Sequence, residues 1–152
     1  MDRKVYQKEM IISIGADHAG FTVKEKIIDY LESKGHNILD KGAYSDESVD
    51  YPEFGHDVGN SIINGESTKG IVVCGSGIGI SIAANKITGI RAALCTTPEH
   101  AKMSRLHNDA NVLAIGGRMT DYPVIIEIVD VWLNTEFEGG RHSRRVNKIE
   151  VL

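Results

Sequence analysis

Short β-branched runs alternate along this chain with longer stretches whose apolar residues recur at helical spacing. Residues 10–14 form the first predicted strand, which runs into Gly15-Ala16-Asp17-His18-Ala19-Gly20. Val23, Ile27 and Leu31 then mark one face of a helix, with Lys24, Glu25, Lys26, Asp29 and Glu32 on the other. Gly35 suits the left-handed position just past that helix. Residues 37–40 read as a second, short strand. A polar loop over 42–52 follows, then a helix with Phe54, Val58 and Ile62 on one face. Residues 70–74 (Gly-Ile-Val-Val-Cys) are continuously apolar, as in a strand buried on both faces of a parallel sheet. They lead through Gly75-Ser76-Gly77-Ile78-Gly79 into a helix that ends near Ile87.

The same alternation continues to the end. Residues 90–94 form strand four, and Thr97-Pro98-Glu99 starts a helix with proline near its first position. Residues 112–115 form strand five, closed by Gly116-Gly117-Arg118. A long helix spans 122–133, and Gly139-Gly140 introduces a basic helix and tail over 139–152. Five strands interleaved with helices predict one α/β domain over residues 1–152, its parallel sheet covered on both faces through right-handed crossovers. Two of the helices carry little charge. Residues 78–87 hold only Lys86, and residues 124–133 only Glu127 and Asp130. Helices so apolar are expected to be buried, either inside one chain or under a second subunit.

Composition narrows the function class. Seventeen basic side chains stand against 21 acidic ones, so there is no electrostatic footprint for nucleic acid. The polar start has no signal-peptide pattern, and no apolar run approaches the ~20 residues of a membrane span. Cys74 and Cys95 form no disulfide or metal framework, which suits a cytoplasmic protein. The six histidines, at positions 18, 36, 56, 100, 107 and 142, form no metal-ligand pair by spacing.

Candidate chemistry gathers where strands end. In open parallel sheets, ligands bind beyond the carboxyl ends of the strands. Asp17 and His18, residues 74–79 and residues 116–118 all follow strands in this way. The 75–79 loop lacks the third glycine of a dinucleotide fingerprint and the lysine of a P-loop, leaving an anion or oxyanion cradle or a plain tight turn. Cys74 precedes that loop and a helix N-terminus, a setting that favours a reactive thiolate, although most free cysteines are simply buried. Cys95 reads as core. His18 and His107 are expected to face the presumed mouth. Arg141 and Arg145, four apart, either grip a phosphate together or belong to a solvated basic tail.

At these residues the chain resembles the B-type ribose-5-phosphate isomerases, a family shared with the galactose-6-phosphate isomerase subunits. The matching blocks are Gly15-Ala16-Asp17-His18-Ala19-Gly20, Asp50-Tyr51-Pro52, residues 74–86, residues 104–113 and Glu138-Gly139-Gly140-Arg141-His142, in family order. Residues 1–9 read as an extension beyond the family's start. The resemblance implies a Rossmann-like three-layer α/β/α fold, no cofactor and no metal. It also implies a homodimer or homotetramer with active sites between subunits. The implied reaction interconverts ribose 5-phosphate and ribulose 5-phosphate through an enediolate, in the pentose phosphate pathway. In that scheme Cys74 moves the proton between C2 and C1, and His107 assists ring opening beside Asn108. Asp17 and His18 bind substrate, and the amides of Gly75, Ser76, Gly77, Ile78 and Gly79 hold the enediolate oxygen. Arg118, Arg141 and Arg145 take the phosphate. Ile80 stands where some relatives place a glutamate base, which excludes that variant here.

Such chemistry needs a base tuned near neutral pH, worth ~10²–10⁴-fold, and donors aimed at the developing oxyanion, ~2.7–4 kcal/mol for one. The cysteine and the glycine loop supply both. The rivals are a galactose-6-phosphate or allose-6-phosphate isomerase and, from another class, a non-catalytic phosphosugar-binding module. Binding alone requires neither Cys74 nor His107.

Overall fold

In the computed structural model, which describes residues 10–151, the chain runs β1 (Ile11–Ala16), α1 (Phe21–Ser33), β2 (Asn37–Asp40), α2 (Tyr51–Ile63), β3 (Lys69–Cys74), α3 (Ile78–Asn85), β4 (Ala92–Leu94), α4 (Pro98–Leu106), β5 (Val112–Gly116), α5 (Tyr122–Asn134) and α6 (Arg141–Asn147). The expected extension over 1–9 lies outside the described residues. The strands form one parallel sheet in the order β2-β1-β3-β5-β4. On one face, Ile14, Ile71 and Leu113 pack with Ile27, Leu31, Ile125 and Trp132 of α1 and α5. On the other, Val72, Val112 and Ala114 pack with Val58 of α2 and Ile80 of α3. The result is a three-layer α/β/α sandwich of the Rossmann-like kind. Among the described residues, no helix is long and apolar enough to cross a membrane.

Local signals act as the pattern predicts. Gly35 follows α1 with φ +90°. Thr97 caps α4, its side chain accepting the His100 N–H at 3.1 Å, with Pro98 in the first turn. Strand β4 is shorter than the expected 90–94 because the Arg91 N–H bonds the Asn111 side chain at 2.8 Å.

One expectation changes and one open alternative is resolved. Lys24, assigned by periodicity to the polar face of α1, is fully buried. Its Nζ lies 2.8 and 2.9 Å from the Asp40 oxygens and 2.8 Å from Glu25 Oε1. The charge is paired, which is what allows its burial. Helix α5 needs no second subunit, since Ile125, Ile128, Val129, Trp132 and Leu133 fill the chain's own core. In α3 the outcome is mixed: Ile80 is buried, whereas Ile78 and Ile82 are 51% and 56% exposed.

Candidate active site

The chain reverses its winding between β1 and β3, and the crevice outside their carboxyl ends is the ligand position of open α/β sheets. Asp17 follows β1 and is buried, its carboxylate accepting the Gly20 N–H at 3.0 Å. That turn lies so close to β3 that a Cβ on Gly20 would stand 2.5 Å from the Val73 carbonyl oxygen. His18 is held by Val49, whose backbone N–H and carbonyl both lie 3.2 Å from Nδ1. Asp17, His18, Asp50, Tyr51 and Glu53 line a cavity of about 380 Å³.

Beside it, β3 ends in Cys74, which is 4% exposed. The Gly77 N–H donates to Cys74 Sγ at 3.1 Å, and the Ile78 N–H donates to Ser76 Oγ at 3.1 Å. Gly77 has φ +79°, and a Cβ there would stand 2.6 Å from Leu94 Cδ1 and 2.8 Å from the Ile115 carbonyl carbon. Both the turn and its packing therefore require glycine. Ser76 Oγ already takes the Ile78 N–H, which leaves the Gly79 and Ile80 amides of the first turn of α3, unpaired within the helix, as donors for an anion. Arg118 joins this edge through its N–H, which bonds the Gly75 carbonyl at 3.0 Å.

Tyr51 was not singled out by sequence. Its ring covers Gly79 so closely that a Cβ there would meet it at 2.7 Å, and it also lines the Asp17–His18 cavity. It joins the two halves of this edge. The Asp50-Tyr51-Pro52 helix start was its only local signal.

The other assigned residues lie elsewhere. Helix α4 has nine residues and carries the chain about 13 Å back across the sheet, at ~1.5 Å per residue. His107 therefore sits at the amino edge, not at the mouth where it was expected. Asn108 is beside it, its carbonyl accepting from Arg91 Nε at 3.1 Å. The Glu138 N–H bonds the Leu106 carbonyl at 3.1 Å, which brings the start of α6 to the same place. His142 of α6 stacks on His107 with centroids 4.4 Å apart, and Arg141 and Arg145 are exposed on that helix. Cys74 pairs with Gly116 while Gly70 pairs with Val112, so the two edges of one chain are separated by about 13 Å at ~3.3 Å per residue. The assigned residues thus fall into two groups at opposite edges of the sheet. The first contains Asp17, His18, residues 74–79 and Arg118; the second contains His107, Asn108, Arg141 and Arg145.

The histidine reading also changes, because the fold brings ligand atoms of His107, Glu138 and His142 within 4.8 Å of one another. Cys95 is core as expected: it is 1% exposed, and burial pushes its thiol up to about 11, opposed by the Ser104 hydroxyl.

Comparison with known proteins adds the chemistry. The family described as Ribose/Galactose Isomerase matches residues 12–149. Ribose-5-phosphate isomerase B of Escherichia coli K12 is 46% identical over 141 residues, covering 93% of this chain and 95% of the relative. A solved ribose-5-phosphate isomerase B from Clostridium thermocellum is 53% identical, with a TM-score of 0.92 and coverage of 92% and 95%. The Mycoplasma genitalium counterpart, solved with bound ribulose-5-phosphate, is 41% identical, with a TM-score of 0.87 and coverage of 91% and 93%.

Proposed function

The chain belongs to the ribose/galactose isomerase family, and from that premise we propose how its two half-sites divide the work. The protein is an aldose–ketose isomerase that interconverts ribose 5-phosphate and ribulose 5-phosphate. Cys74 takes the proton from C2 of the open-chain aldose. The electron pair of that bond forms the C1–C2 double bond, and the carbonyl oxygen becomes the enediolate oxygen, held by the first amides of α3. Cys74 then returns the proton to C1 while the O2 hydroxyl proton passes to O1, so that C2 becomes the carbonyl and C1 carries the hydroxyl. Asp17 and His18 hold the sugar hydroxyls in the adjoining cavity.

His107 serves ring opening, with Asn108 binding and Arg141 and Arg145 taking the phosphate. Because these four lie at the opposite edge from Cys74, they reach its substrate from a second copy of the chain. Arg118 comes from the same chain as Cys74. Exposed Ile78 and Ile82 on α3, next to the Cys74 loop, are the apolar surface that the second copy covers. The working enzyme is thus a cytoplasmic homodimer, or a tetramer built from such dimers. The observation that carries this reading is the Cys74 Sγ beneath the Gly77 amide at the entrance of a glycine-bounded helix. Its test is an assay of the purified protein against five- and six-carbon sugar phosphates. Turnover of ribose 5-phosphate supports it, and turnover of hexose phosphates alone overturns it.

A further inference from the structure

We propose that His107, Glu138 and His142 form a binding site for a divalent transition-metal ion of the zinc class. Two imidazoles and a carboxylate are a donor set that suits zinc and cobalt far better than magnesium or calcium. Their ligand atoms already lie within 4.8 Å of one another. A second observation points the same way. His142 is 5% exposed, and its Nε2 has no hydrogen-bond partner among the described residues. A buried imidazole nitrogen in that state costs stability unless something takes it.

The spacing fits an ion better than it fits a hydrogen bond. Glu138 Oε1 stands 3.7 Å from His142 Nε2, too far for a direct bond. Ligand atoms around a tetrahedral ion with bonds of ~2.0–2.2 Å lie about 3.3–3.6 Å apart, close to that value. The rings of His107 and His142 are stacked, 19° from parallel, so their nitrogens do not converge on one point as they stand, and binding turns His107, the more exposed of the two, out of the stack. Glu138 is exposed and free to close the remaining gap. The arginines of α6 oppose a cation and keep the affinity moderate, so the ion is a reversible occupant.

The consequence rests on the role given to His107 above: an occupied site withdraws that imidazole from ring opening, making the metal an inhibitor. The test titrates chelator-treated protein with Co²⁺ alone, follows its visible absorption, and displaces it with Zn²⁺. One ion per chain with a tetrahedral-type spectrum is expected. Glu138→Gln, at an exposed position outside the proposed chemistry, should loosen binding by ~10-fold or more, and His107→Ala should remove it. Equal binding by both variants and the parent, or no saturable binding, overturns the site. Zn²⁺ should also slow ribose 5-phosphate turnover in the parent and less so in Glu138→Gln. Binding that depends on both Glu138 and His107 yet leaves turnover unchanged would uphold the site and remove His107 from ring opening.

Discussion

The Gly77 amide donates a hydrogen bond to Cys74 Sγ at 3.1 Å, closing the turn that joins β3 to α3. The proposed base is therefore held by the backbone of the loop whose neighbouring amides are proposed to hold the oxyanion. Cys74→Ala should abolish isomerisation while leaving the fold and phosphate binding in place. Cys74→Ser should be nearly as poor, since a hydroxyl is far less acidic than a thiol. Gly77→Ala places a side chain at φ +79° against Leu94, and should lower stability by ~1–3 kcal/mol along with turnover. Turnover with circular dichroism measures all three. Near-parental activity in Cys74→Ala would return this cysteine to the core.

The two proposed half-sites make a complementation experiment decisive. Cys74→Ala and His107→Ala chains should each turn over ribose 5-phosphate poorly alone. Co-expressed, they form mixed dimers with one intact site, so the mixture should recover about a quarter of parental activity. A mixture no more active than its parts would mean that both groups serve the same chain's substrate.

Arg141 and Arg145 are separable from the proton chemistry. Replacing either with alanine should raise KM for ribose 5-phosphate ~10–150-fold, the equivalent of a charge-assisted bond of ~1.5–3 kcal/mol. Unphosphorylated ribose should be far less affected. Equal losses on both sugars would show the pair to be structural.

Cys95 gives the protein an alkaline limit. Burial raises its thiol from an ordinary 9.0 to about 11, so the folded state keeps a proton that the unfolded chain has already released. The associated stability is complete below pH 9 and is lost as pH rises to about 11, in total ~2–3 kcal/mol. Tyr30, raised to about 12 by burial and then by its bond to Asp130, contributes in the same direction at higher pH. Urea unfolding of the parent and of Cys95→Ala across this range isolates the cysteine. The variant should show the shallower decline, and parallel curves would reject the assignment.

The order of strands and helices was legible from sequence because each element announces itself locally. Continuous apolar residues 70–74 read as an inner strand, helical spacing marked Val23, Ile27 and Leu31, and Gly35 marked a left-handed stop. The first group of candidate residues was legible for the same reason. Asp17, His18 and the Cys74 loop directly follow their strands, so identifying the strand locates the residue. Tertiary structure alone decided matters that depend on partners distant in sequence. Lys24 is buried because Asp40, on a different element, neutralises it. His107 meets His142 because α4 returns the chain to the amino edge and α6 folds back there. Periodicity assigns a residue to a face of its own helix. It carries no information on which element packs against that face, or at which edge of the sheet the helix ends, and those relations put the candidate residues at two opposite edges.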